Sequence, residues 1–254
     1  MEIDILKINK DKKDNLKDIV IEEVPLTLYL NDKEIVTLSC SPDDLKELSA
    51  GFLFSAGLIK KREEIKDIVI VRQKWASYVT LKHNNYPSEI LFKRLYTSGC
   101  GRGVIFYNAL DPVHFKKLNN DFKISGDRIF DLMKCFEKRS VTYRKTGGVH
   151  SAALSDGKDI AIFKEDIGRH NAIDKVIGEA LMKDLDTKDF IVLTSGRISS
   201  DIMFKIQKMG TSFIISRSAP TDQAVKLAES WNVTLVGFAR GQKMNIYTAR
   251  ERVI

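Results

Sequence analysis

The chain has 254 residues, 43% of them hydrophobic, enough for one large domain or two small ones of an ordinary globular protein. Lys and Arg number 41 against 34 Asp and Glu, a formal charge of +7; this suits an anionic ligand, and without zinc-finger spacing or an RNA-binding aromatic motif it leaves nucleic acid the weaker reading. No apolar run approaches a membrane span, Met1-Glu2-Ile3-Asp4 carries acids where a signal core would be apolar, and Cys40, Cys100 and Cys135 are too sparse for a disulfide framework, so the expectation is a cytoplasmic protein with no membrane association.

To about residue 40 the pattern reads as β. The apolar run 21–30, the turn Asn31-Asp32-Lys33 and the run 34–39 predict a hairpin. Ser41-Pro42-Asp43-Asp44 predicts a helix start capped by Ser41, with Leu45, Leu48, Ala50, Phe52 and Leu53 on the helix and Gly57 as its stop. Short strands follow over 67–72, 77–81 and 89–95, then the loop 97–103 and a short helical stretch opened by Asp111-Pro112. From Asp127 the period changes: Ile129, Leu132, Met133 and Phe136 have helical spacing. A hairpin around Ser155-Asp156-Gly157 leads to the clearest helix, 171–181, with Asn171 as its cap and Ile173, Val176, Ile177, Ala180 and Leu181 on one face. Strand 190–193, helix 199–209, strand 213–215, helix 221–230 capped by Thr221, and strand 234–238 complete the chain.

Alternating strands and helices demand parallel pairing with right-handed crossovers, and the hairpin in front makes the sheet mixed. The expected fold class is α/β: a three-layer α/β/α domain of cytidine deaminase-like topology over 123–254. A smaller β-rich α+β region over 1–122, carrying the Cys100 loop, precedes it.

Three of the late strands end in small polar residues and then an arginine: Thr194-Ser195-Gly196-Arg197, Ser216-Arg217-Ser218 and Ala239-Arg240-Gly241. Ligands of parallel sheets bind outside the carboxyl ends of the strands, and Arg captures phosphate or carboxylate in a bidentate fork. Together the three predict a site for a multiply anionic ligand; taken singly, each is an ordinary surface arginine. Cys100 sits among Gly99, Gly101, Arg102 and Gly103, a setting that favours a reactive thiolate over a buried small hydrophobe. Cys40 and Cys135 read as structural. His150, behind Gly147-Gly148, is open to a polar-site role or to that of a satisfied core histidine. Arg169, His170 and Asn171 are concentrated at a helix start, where anions are attracted. A zinc deaminase requires His-x-Glu and Pro-Cys-x-x-Cys, and neither occurs, so no metal site is expected.

The runs Thr146–Leu154, Glu165–Gly178, Thr194–Arg197, Ser218–Thr221 and Thr234–Phe238 resemble the FdhD family of formate dehydrogenase accessory sulfurtransferases. The likeness extends upstream to Cys40–Leu45 and Gly51–Phe54. The resemblance implies a sulfurtransferase that takes sulfur from a cysteine desulfurase and hands it to the molybdenum cofactor, in its bis-molybdopterin guanine dinucleotide form, for formate dehydrogenase. It makes Cys100 the persulfide carrier. Phe238, Ala239, Arg240, Gly241, Gln242 and Lys243 match the family's cofactor-binding stretch, and the guanine nucleotide moiety of the cofactor is an expected partner. On that reading Arg169, Arg197, Arg217 and Arg240 neutralise the cofactor's phosphates, and His150 and His170 are open to binding the cofactor or to assisting proton movement. A homodimer is in keeping with the family. Many members carry Cys-x-x-Cys in the loop; here the second position is Gly103, so a single thiol holds the sulfur. The alternatives are a cofactor-binding chaperone that moves no sulfur and, more distantly, a metal-dependent deaminase.

Overall fold

The computed structural model describes residues 1–10, 12–83, 93–96, 104–107 and 115–254. The Cys100 loop, most of the strand expected over 89–95 and the helical stretch expected at Asp111 lie outside the described residues.

Strands β1 (Glu2–Asn9) and β2 (Lys12–Ile19) form an antiparallel ribbon exposed on both faces. Next come β3 (Val24–Leu30), β4 (Lys33–Cys40), helix α1 (Leu45–Ser55), β5 (Ile65–Val71) and β6 (Ala76–Leu81). They build a four-stranded sheet ordered β4-β3-β6-β5, in which β3 and β6 are parallel. Strand β3 alternates strictly, with Val24, Leu26, Leu28 and Leu30 buried, as one covered face requires. Leu28 and Leu30 meet Ala50 and Leu53 of α1 in one apolar cluster. Gly57, at φ 75°, ends the turn that follows α1, as expected. Strands β7 (Lys93–Tyr96) and β8 (Val104–Tyr107) pair antiparallel, with Tyr96 opposite Val104.

The larger sheet follows α2 (Gly126–Arg139) and α3 (Val141–Thr146). It is assembled from β9 (His150–Ser155), β10 (Ile160–Asp166), β11 (Ile191–Thr194), β12 (Phe213–Ser216), β13 (Thr234–Arg240) and β14 (Lys243–Ile246). Helix α4 (Arg169–Met182) joins β10 to β11, α5 (Ser200–Met209) joins β11 to β12, and α6 (Asp222–Trp231) joins β12 to β13. The order is β10-β9-β11-β12-β13-β14; β11, β12 and β13 are parallel and the outer pairings antiparallel. Alternation divides two cores. Val192, Ile214 and Leu235 face Ile173, Val176, Ile202, Ile206 and Ala228 of α4–α6. Ile191, Leu193, Phe213, Ile215 and Val236 face Ile129, Leu132, Met133 and Phe136 of α2. The central strands are buried on both faces, as parallel strands must be, and the expected three-layer α/β/α arrangement with a mixed sheet is present.

Two expected helix caps take other work. Helix α1 starts at Leu45 behind Asp44, which has a left-handed backbone and no capping bond. Ser41 instead gives its N–H and its hydroxyl to Asp166 Oδ2, each at 3.1 Å. Helix α4 starts behind Gly168, so Asn171 lies inside its first turn. Asn171 Nδ2 donates to Asp166 Oδ1 at 2.9 Å and to the Ser39 carbonyl at 2.8 Å. In both cases a buried carboxylate outbids a local cap, because an unpaired charge in the interior costs far more than an uncapped helix end. Asp166 is balanced by Lys175 Nζ at 2.7 Å, with both side chains sealed from solvent. These bonds tie the 39–41 segment to the end of β10 and to α4. Lys164 adds a second tie, reaching Asp44 at 2.6 Å and Glu179 at 2.7 Å.

Candidate functional site

The loops leaving β11, β12 and β13 are locked together at the carboxyl edge of the parallel strands. Arg217 N–H donates to the Thr194 carbonyl at 3.2 Å, Ser216 Oγ to the Gly196 carbonyl at 2.7 Å, and Phe238 N–H to the Ser218 carbonyl at 3.1 Å. Ile198 and Thr221 N–H bond the Ala219 and Ile198 carbonyls at 3.1 and 2.9 Å. Beside these loops lies a cleft of about 430 Å³ whose lining includes Tyr143, His150, Ser195, Arg217, Ser218 and Arg240. Its size falls within the range of small-molecule pockets. A larger depression of about 740 Å³ lies near the residues preceding β11 and β13, lined by Lys188, Asp189, Asn232 and Arg252 among others. It is at the opposite edge of the strands, where an open parallel sheet does not bind its ligand.

Two of the three strand-end arginines, Arg217 and Arg240, reach the cleft. Arg197 is exposed in the loop after β11 and does not line it. Arg217 is oriented by Glu137 of α2, with Nε 3.1 Å from Oε1. Of the stretch 238–243, Arg240 lines the cleft, Ala239 is buried in the α2-side core, and Gly241 and Gln242 form the turn into β14, which Lys243 opens. Register shifts between Gly237 and Arg240, and Phe238 holds φ 53°. A large residue in the left-handed region is strained, and such strain collects where a bulge re-aims a side chain at a site.

His150, at the start of β9, is half-buried on the cleft wall, its Nδ1 3.3 Å from Ser195 Oγ. Burial, reinforced by the Arg169 charge, lowers its pKa. Arg169 itself packs against Gly196, where a Cβ would come within 2.8 Å of the arginine Cβ. His170 turns to α5, its Nε2 3.8 Å from Asp201 Oδ2. Burial first, then Lys205, Arg169 and His150, drive its pKa down to about 3, so the imidazole is neutral and the contact with Asp201 is not an ion pair. Burial also raises the Asp201 carboxyl.

Cys40, the last residue of β4, is sealed among Val24, Leu26, Leu45 and Leu48, and burial, aided by Asp166, pushes its thiol up to about 12, which makes it inert. Cys135, expected to be structural, is instead exposed on α2, on the face opposite Met133 and Phe136. Among the described residues no group of three His, Cys, Asp or Glu side chains is arranged to hold a metal, and no helix is long and apolar enough to cross a membrane. Ser195, Tyr143 and Glu137 were not singled out from the sequence. Ser195 had a visible signal, a small polar residue at a strand end; Glu137 reaches Arg217 only through packing.

The chain is similar to known proteins in sequence and in fold. The FdhD/NarQ family model matches residues 21–254. A relative from Bacillus pumilus, named sulfur carrier protein FdhD, is 44% identical over 237 residues, 93% of this chain and 90% of its own length. One of the same name from Bacillus subtilis is 39% identical over 251 residues, 98% and 96% of the two chains. A crystal structure from Desulfotalea psychrophila, provisionally described as a formate dehydrogenase accessory protein, superposes with a TM-score of 0.82 at 28% identity, covering 100% of this chain and 99% of that one. With the match running from the N-terminal sheet through the strand-end cleft, the chain belongs to the FdhD/NarQ family.

Proposed function

We propose that this chain is a sulfur carrier for formate dehydrogenase, loading sulfur on Cys100 and delivering it to the molybdenum cofactor, whose guanine nucleotide end rests in the strand-end cleft. The observation that carries the reading is the pairing of His150 with Arg217 and Arg240 on one cleft at the carboxyl edge of β11–β13, in a chain whose relatives are named sulfur carriers. The arginines supply bidentate charge for phosphate, and a cleft of about 430 Å³ suits one nucleotide end of the double ligand rather than the whole. Cys40 is excluded as the carrier by its burial and raised pKa. In the loading step the Cys100 thiolate attacks the outer sulfur of a donor persulfide, the donor S–S bond breaks, and the donor cysteine of the desulfurase leaves as a thiolate. The cofactor, as substrate, is the acceptor of that sulfur.

The test is intact-mass spectrometry after incubation with a cysteine desulfurase and cysteine. The expected result is a gain of one sulfur that is lost on reduction and absent from Cys100→Ala. Equal sulfur loading in Cys100→Ala overturns the carrier assignment. GDP binding without sulfur loading in the unmodified chain favours the chaperone.

A further inference from the structure

The cleft histidine is held by a hydrogen-bond chain. Ser151 N–H donates to Ser195 Oγ at 3.0 Å, and the same oxygen lies 3.3 Å from His150 Nδ1. A hydroxyl has one proton to give. Ser195 Oγ already accepts from the Ser151 amide, and no other acceptor for its proton stands beside it among the described residues. Oγ could accept a second time, from an Nδ1–H, only by turning its own proton to solvent; giving that proton to His150 Nδ1 satisfies both groups within the protein. An accepting Nδ1 leaves the proton of a neutral imidazole on Nε2. Nε2 has no protein partner among the described residues and is not sealed from solvent, and His150 lines the cleft.

We propose that Ser195 is a positioning residue that locks His150 as the Nε2–H tautomer, so that the cleft offers a neutral donor, beside the Arg217 and Arg240 guanidiniums, to a phosphate or carbonyl oxygen. The ligand in this statement rests on the function proposed above; the tautomer does not. The charged surroundings favour the neutral ring. Burial and Arg169, from the first turn of α4, hold the His150 pKa down against the weaker pull of Asp166 at the end of β10. Arg240 and Arg217, itself paired with Glu137 of α2, are the further charged neighbours, and His170 faces the ring as a neutral imidazole. A neutral donor has a consequence a cation does not: it persists as pH rises. Without Ser195 the ring is free to move its proton to Nδ1 and to turn a lone pair on the anion. Acid then repairs the defect, because the imidazolium donates from both nitrogens.

Two measurements on the full chain test this. Long-range ¹⁵N–¹H spectra of the imidazoles, with His150 assigned by its loss in His150→Gln, are expected to show Nδ1 unprotonated and Nε2 protonated in the unmodified chain. Ser195→Ala is expected to mix the tautomers and Ser195→Thr, which keeps the hydroxyl, to restore the pattern. A protonated Nδ1 in the unmodified chain, or an unchanged spectrum in Ser195→Ala, overturns the proposal. In GDP titrations, Ser195→Ala is expected to bind about tenfold more weakly near neutral and alkaline pH. The ratio of its Kd to that of the unmodified chain, in which the nucleotide's own titration cancels, is expected to fall towards one as His150 protonates. A ratio that stays flat with pH overturns the donor role. If GDP binds to none of these proteins while the tautomer pattern depends on Ser195, the positioning role is upheld and the ligand reading is the part that fails.

Discussion

Gly51 and Gly178 face each other at the crossing of α1 and α4, leaving no room for a side chain on either helix. A Cβ at Gly51 would lie 1.8 Å from the Asp174 carbonyl oxygen, and one at Gly178 would lie 1.8 Å from that of Glu47. In each case the obstacle is backbone, which cannot swing aside. Gly51→Ala and Gly178→Ala should each cost at least about 3 kcal/mol, the upper end of overpacking, despite alanine's better helix propensity. Urea denaturation gives the magnitude. Because both substitutions wedge the same crossing, the double variant should lose less than the sum of the two.

Beside that crossing, Asp166 and Lys175 form a sealed ion pair 2.7 Å apart, with Ser41, Asn171 and the Gly168 amide completing the carboxylate's hydrogen bonds. Removing one charge strands the other. Lys175→Met and Asp166→Leu should each destabilise by about 3–5 kcal/mol, while the double replacement should recover a large part of that loss. Equal losses in single and double variants, by urea unfolding, would show that the pair itself is not the source of the cost.

His170 gives a pH signature. Its folded pKa of about 3 lies below the ordinary 6.5, so between those values the unfolded chain takes up a proton that the folded chain refuses. The stabilisation is complete above pH 6.5 and is lost as pH falls toward 3. Between about pH 6 and pH 5 the unmodified chain should lose roughly 1 kcal/mol more than His170→Gln, since each fully released proton is worth about 1.4 kcal/mol per pH unit. Parallel slopes in urea midpoints over that range would remove His170 from the account.

Thiol accessibility separates the cysteines. Cys40 is buried with its pKa pushed up to about 12, whereas Cys135 is exposed on α2. In a chain carrying Cys100→Ala, iodoacetamide should modify Cys135 quickly and Cys40 only after unfolding. Peptide mapping after brief and long exposure provides the check.

What the sequence made legible was local. The 3.6-residue spacing of Ile129, Leu132, Met133 and Phe136, and the strand–helix alternation after residue 190, were enough for the α/β/α layering. The rule that ligands gather at parallel strand ends brought Arg217 and Arg240 to one cleft. What stayed hidden was long-range. Ser41 and Asn171 carry the local signature of helix caps, yet each bonds Asp166, a partner that proximity in the chain cannot reveal for Ser41. Gly51 and Gly178 look like helix-weakening glycines until the two helices cross. Ser195 and His150 are 45 residues apart and meet only because β9 and β11 are neighbours in the sheet.

The same distinction sharpens the arginine prediction. The sequence treats Arg197, Arg217 and Arg240 alike; the fold does not. Arg217 is braced by Glu137 at 3.1 Å and lines the cleft, while Arg197 is exposed outside it. Bracing at Nε leaves the two terminal nitrogens of Arg217 to form a fork toward an anion. Lysine keeps the charge but cannot be held in this way or bind in bidentate fashion. Arg217→Lys should therefore weaken GDP binding about tenfold, the scale of one charge-assisted hydrogen bond, whereas Arg197→Lys should leave it nearly unchanged. Isothermal titration of both variants decides between a cleft that reads a phosphate by geometry and an edge that attracts it by charge alone, because charge alone predicts the same small effect from each.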